Sequence, residues 1–183
     1  ASNVIDYITI ASTGNAADFG DGATQYNRGS TSSNTRGVFG GGRNPVANTI
    51  DYIQFSTLGD ATDFGDLSTA RGYLSGTSNE KRGVFVSGMT PSHTVLMDYI
   101  NIASTGDAID FGDCIVSVGY AGACSQGHGG IEEGEPRGLP LGSGRAYFGG
   151  GETPARVGEI QEIHIPTLGS VADFGDAITG YSS

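Results

Sequence analysis

The sequence predicts an all-β fold built from several small antiparallel sheets that lean on one another. Three observations predict it. First, one string recurs four times: NVIDYITIASTGNAADFGD at 3–21, TIDYIQFSTLGDATDFGD at 49–66, LMDYINIASTGDAIDFGD at 96–113 and EIQEIHIPTLGSVADFGD at 159–176. Aligned on Phe19, Phe64, Phe111 and Phe174, the copies are 45, 47 and 63 residues apart in turn, and a near-constant period in the forties marks a repeat architecture. Second, the 32 glycines recur at fixed places in each unit, as turns and close backbone approaches require. Third, the strongest strands are apolar on both faces. Ile8 and Ile10 fall on one side, Ile5 and Tyr7 on the other; Ile53 and Phe55 oppose Ile50 and Tyr52. A sheet with one face in water would alternate apolar with polar.

Each full unit divides into four strand candidates. In the second unit, 23–33 is small and polar and reads as a weak strand, and 36–42 (RGVFGGG) is a short apolar strand ending in glycines. The strand at 49–55 (TIDYIQF) is the strongest, and 61–66 (ATDFGD) is a short last one. Turn signals at Asn34, Arg43-Asn44-Pro45 and Leu58-Gly59-Asp60 separate them. The third unit repeats this as 68–78, 82–88, 96–102 and 108–113, and the fourth as 115–124, 145–151, 159–165 and 171–176. An aperiodic loop at 125–144 explains the spacing of 63. The chain is thus expected to be one repeat domain over 1–183, with units at 22–66, 67–113, 114–176 and a fourth assembled from 1–21 and 177–183.

Two or three glycines closing a strand, a Tyr in the next and an aromatic in the last are carried here by Gly41-Gly42, Tyr52 and Phe64, with Gly88, Tyr99 and Phe111 one unit on. Tyr7 and Gly151 hold the same places in the outer units, and Glu162 replaces the Tyr in the fourth. This pattern resembles kelch-type β-propeller blades, with Phe where that family favours Trp. The resemblance implies a kelch-like propeller of about four small blades, one incomplete; an open solenoid-like array is the alternative. RGVFGGG followed by the DFGD string also resembles repeats in tail-associated and other structural proteins of marine bacteriophages. Gly180-Tyr181 matches Gly72-Tyr73 and Gly119-Tyr120, so the two chain ends are expected to share a blade that lacks an RGVFGGG strand.

The net charge of −11 argues against nucleic acid, whose phosphates need a basic surface. No run of 18 apolar residues is present, so no helical membrane span is expected, nor is a signal peptide. A first residue Ala1 in place of Met suggests processing or an excerpt of something longer. Cys114 and Cys124 would lie about 33 Å apart on one extended strand, too far for a disulfide, and are expected as two buried free thiols.

The four DFGD strings lack every companion motif of a kinase. A structural role is expected: Phe fills the gap between sheets, Gly permits a turn and the aspartates cap turn amides. The alternative is calcium at pairs such as Asp18 and Asp21, but two carboxylates per unit fall short of six to eight oxygens. His93, His128 and His164 do not recur between units. Arg36, Arg82 and Arg145 open the second strand of each unit and are expected to pair with DFGD carboxylates. Glu132, Glu133, Glu135 and Arg137 make the loop an interaction candidate.

No nucleophile stands beside a base in any known motif, so no enzyme is expected and no cofactor. The expected function is a structural and interaction module of a phage virion, tail- or fibre-associated, or of another extracellular assembly, working through multivalent contacts with other protein chains. A carbohydrate-binding propeller that recognises host surface glycan is the alternative.

Overall fold

The structure, a computed structural model, describes residues 3–125, 144–153 and 155–177. Among them there is no helix, and fourteen strands form four antiparallel sheets. The first sheet is a pair, β1 (Val4–Tyr7) with β2 (Ala17–Asp21). The second is a meander of β3 (Gly29–Ser32), β4 (Arg36–Gly42), β5 (Ala47–Gln54) and β6 (Thr62–Asp66). The third repeats it with β7 (Ser75–Ser78) and β8 (Arg82–Val86), a tiny hairpin of β9 (Met89–Thr90) and β10 (Ser92–His93), then β11 (Leu96–Asn101) and β12 (Ile109–Asp113). The fourth has β13 (Gly122–Ser125) and β14 (Arg145–Gly149), a hairpin of β15 (Glu152–Thr153) and β16 (Ala155–Arg156), then β17 (Glu159–His164) and β18 (Ala172–Asp176). Ser125, expected in the loop, closes β13; Glu132, Glu133, Glu135, Arg137 and His128, and Gly180-Tyr181 at the chain end, lie outside the described residues.

The first strands are four residues long, much shorter than the stretches at 23–33, 68–78 and 115–124. The residues before them leave their own sheet to bond the preceding unit. Tyr73 N–H donates to the Asn27 carbonyl at 2.9 Å, and Tyr120 N–H to the Tyr73 carbonyl at 3.1 Å. Asn27, Tyr73 and Tyr120 take φ of 55°, 57° and 61° to make that corner. The strands that follow are small because they lie close together. A Cβ at Gly76 would meet the Ser30 carbonyl oxygen at 2.0 Å, and hydroxyls tie neighbours across the gap, Thr31 to Thr77 and Ser78 to Ser32.

The DFGD strand is where the sheets join. In each pairing of third and last strand the register slips by one: Ile5 faces Gly20 but Asp6 faces Asp18, leaving Phe19 as the extra residue of a bulge. Phe64, Phe111 and Phe174 are extra in the same way. The glycine of DFGD thus sits in a bulge and not in a turn, at φ between 136° and 151° in the four copies. The bulge turns the Phe carbonyl towards the next sheet. Gly59 N–H donates to the Phe19 carbonyl at 2.9 Å, Gly106 N–H to Phe64 at 2.7 Å, and Gly169 N–H to Phe111 at 3.0 Å. Two residues on, Ala61, Ala108 and Val171 bond the carbonyls of Asp21, Asp66 and Asp113.

Apolar side chains fill the space behind each joint. Val38, Ile50 and Phe64 of the second sheet pack against Phe85, Ile100 and Ile102 of the third. Val84, Met97 and Phe111 of the third pack against Phe148, Ile163 and Ile165 of the fourth. Each middle sheet is covered on both faces, as its two-sided apolar strands require.

A Cβ on Gly65 would lie 2.4 Å from the Gly106 carbonyl oxygen, whereas one on Gly175, at similar φ, meets nothing within 4 Å. Gly65→Ala is therefore expected to cost about 1–3 kcal/mol more than Gly175→Ala, the usual range for overpacking. Urea midpoints of the two variants check this, since both share the backbone strain and only one has the clash.

Candidate assembly interface

Each joint presents two unlike faces. One comes from the sheet that precedes: a Tyr and a Phe in edge-to-face contact, the bulge glycine and two outward carbonyls. Tyr7 and Phe19 lie 6.2 Å apart at 85°, Tyr52 and Phe64 5.8 Å at 83°, and Tyr99 and Phe111 6.1 Å at 77°. The other comes from the sheet that follows: two apolar residues spaced i, i+2 at the end of the third strand, and a turn that is Gly-Asp-Ala in the second and third sheets and Gly169-Ser170-Val171 in the fourth. The carboxylate that caps an amide belongs to this turn, and not to DFGD: Asp60 Oδ1 accepts from Asp21 N–H at 2.9 Å and Asp107 Oδ1 from Asp66 N–H at 3.1 Å. Within DFGD, Asp173 Oδ1 accepts from Gly175 N–H, a local bond only.

The arginines also act differently from the expectation. Arg36 lies 4.6 Å from the Tyr52 ring and donates to the Ile102 carbonyl at 2.8 Å. Arg82 lies 4.8 Å from the Tyr99 ring and donates to the Ile165 and Pro166 carbonyls. They bridge adjacent sheets through carbonyls and do not meet DFGD carboxylates, because those face outward along the edge. Arg145 pairs at 2.6 Å with Glu162, which holds the slot of the lost Tyr and faces Tyr147 across the ladder. That pairing holds the guanidinium in its charged form to higher pH than usual. Tyr147 makes good the missing ring from the adjacent strand, 4.9 Å from Phe174.

Two ion pairs, one fully and one partly buried and both unforeseen in the sequence, stiffen the middle sheets. Arg71 and Asp98 are fully buried and 2.9 Å apart; Arg28 and Asp51 are 2.7 Å apart. The two arginines stand at different places in their units, yet Nε of each meets a carbonyl at the end of the second strand, Gly41 within β4 or Ser87 just past β8. Asp98 also accepts from Ser68 N–H and its hydroxyl. In the fourth sheet Gln161 takes the aspartate's place, 1% exposed, and accepts from Ile115 N–H, while Val118 takes the arginine's. Cation and anion vanish together there, as the cost of a lone buried charge demands.

The glycines that close the second strands, Gly42, Gly88 and Gly151, have φ of 139°, 111° and 99°. Gly42 N–H reaches the Arg71 carbonyl and Gly88 N–H the Val118 carbonyl, a second line of bonds between units. Tyr73 and Tyr120 stack at 4.2 Å, and a phenol-to-phenol hydrogen bond lowers the pKa of Tyr73 and raises that of Tyr120. His164 is exposed and bonds Thr167, and His93 lies in β10. Among the described residues no three His, Cys, Asp or Glu gather as a metal site would need.

The outermost faces are uncovered. Ile8 and Ile10 of the first sheet are 64% and 94% exposed, where Ile100 and Ile102 of the third are 2% and 1%. Phe174 of the fourth sheet is 59% exposed, unlike Phe19, Phe64 and Phe111, each 7% or less. Before it opens a cavity of about 1290 Å³, lined by Tyr147, Ile160, Phe174, Cys124 and Ala177 among others.

The chain matches no family model, and no curated protein matches it.

Two expectations follow. Arg71→Val alone leaves Asp98 buried without its cation and is expected to cost about 3–5 kcal/mol. Adding Asp98→Gln, which copies Val118 and Gln161, is expected to recover most of that loss in a double-mutant cycle of denaturant midpoints. The cysteines differ in fate, since Cys124 is exposed and not buried. Burial, helped by the Asp113 carboxylate, pushes the Cys114 thiol up to about 12. A thiol reagent at pH 8 is therefore expected to label Cys124 alone in the native protein and both in urea. The unfolded thiol ionises near 8.5, so the stability held by Cys114 is complete below that pH and declines as pH rises towards 12.

Proposed function

We propose that the protein is a non-enzymatic structural and interaction module, built as a kelch-like propeller-type stack and working through repeated protein–protein contacts in a virion, tail- or fibre-associated, or in another extracellular assembly. The observation that carries this reading is the repetition of one joint three times within the chain while both of its faces recur, uncovered, at the outer sheets. Stiffness supports it too. Bulges and bonded first strands hold sheet to sheet and the ion pairs brace each middle sheet from within, which suits a part whose task is to keep a surface in shape.

A second reading is glycan binding. What favours it is Tyr120, 56% exposed at the rim of the cavity and stacked on Tyr73, a platform of the kind that sugars lie upon.

Static light scattering on the 183-residue chain over a range of concentration tests the first reading. Mass is expected to rise with concentration, and to rise more steeply in 0.5 M salt, because copies carrying −11 repel and salt screens them. A mass fixed at one chain throughout would sink it, and a glycan-array signal alongside that result would favour the second.

A further inference from the structure

We propose that two copies of this chain join head to tail, the first sheet of one seated on the fourth sheet of the other, by a joint of the same design as those within the chain. This rests on the reading of the protein as an assembly module and names its partner as a second copy.

The faces match feature by feature. The following sheet of an internal joint offers two apolar residues and a glycine-led turn, Gly-Asp-Ala in two joints and Gly-Ser-Val in the third. In the first sheet these are Ile8, Ile10 and Gly14-Asn15-Ala16. Both isoleucines are exposed, and a Cβ on Gly14 would meet nothing within 4 Å, the same room that Gly59, Gly106 and Gly169 have within the internal joints. The preceding sheet of a joint offers a Tyr–Phe pair, a bulge glycine and two carbonyls. In the fourth sheet these are Tyr147 with Phe174, Gly175, and the carbonyls of Phe174 and Asp176. Gly175 likewise has open space where Gly20, Gly65 and Gly112 each press on a glycine of the next sheet. By the pattern of the three internal joints, Gly14 N–H of one copy donates to the Phe174 carbonyl of the other, and Ala16 N–H to the Asp176 carbonyl. Asn15 Oδ1 stands where Asp60 and Asp107 cap an amide, so Asn15 caps Asp176 N–H without adding a charge to an acidic edge.

Ile10 and Ile8 would enter the cavity before Phe174, as Ile102 and Ile165 enter between sheets. A face rich in aromatic carbon and edged by two turned-out carbonyls fits a strand-end turn of this composition better than any polar ligand. The contact is heterologous: each copy uses a different face, so every copy keeps one of each kind free after pairing.

That asymmetry supplies the test. Ile10→Glu spoils one face and Phe174→Glu the other, both at exposed positions where circular dichroism is expected to stay unchanged. Each variant alone is expected to stay at the mass of one chain under conditions where the unaltered chain associates, its self-association weakened at least tenfold. An equimolar mixture of the two is expected to form a 1:1 dimer and stop there, since only one sound face of each kind remains. Gly14→Pro, which removes the donated N–H where no side chain is near, is expected to weaken association as well. Association of either Glu variant to the same extent as the unaltered chain would overturn the head-to-tail contact while leaving the assembly reading intact. A mixture that stays monomeric would overturn it too, and an unaltered chain that never associates would remove both.

Discussion

A carbonyl turned out of its own sheet needs a donor elsewhere, and the position of that donor organises this molecule. The bulge at each DFGD string expels the Phe carbonyl from the ladder and swings the ring against its Tyr. The glycine that follows presents a bare Cα to a second glycine in the next sheet. Hydrogen bond, ring contact and close approach thus fall at one place; the first and last need the neighbouring sheet, while the ring contact lies within one sheet and is kept at the uncovered Phe174. A sheet built this way is half of a joint, so an isolated unit of this sequence would leave both an acceptor and an apolar face in water.

Buried charge follows the same logic. Arg28 and Arg71 begin from different points in their units and finish with the same set of partners, an aspartate on the third strand and carbonyls of the second. The site for a guanidinium is set by the sheet, and the chain reaches it by whichever residue is near. Where none is near, the aspartate has become Gln161. Tyr147 and Glu162 make a parallel case, since a ring lost on one strand reappears directly opposite on its partner.

Third and last strands were legible in the sequence to within a residue or two, because IDYI and DFGD repeat with fixed spacing and two-sided apolarity. First strands were not, since they are short and rich in Ser and Gly, and are held by Ser and Thr hydroxyl bonds to a neighbouring sheet that no local pattern reveals. The roles of Arg36 and Arg82 were misread for a related reason. Their partners are backbone carbonyls 66 and 83 residues away, and a carbonyl leaves no mark in a sequence. The aspartate of IDY could have been noticed, as it changes to Gln161 in the one unit where Val118 stands in the place of Arg71. The bulge itself was hidden, because a glycine reads as a turn until the register of the partner strand is known.

The joint has a direction: one sheet gives carbonyls and the next gives amides. A unit of 45 to 47 residues carries one of each and is therefore an interchangeable brick. Duplicating or deleting a whole brick leaves every remaining seam correct, whereas losing part of one spoils two. Descendants of such a gene would be expected to differ in length by that quantum, with insertions such as the one after β13 hung on the bricks and never across a seam.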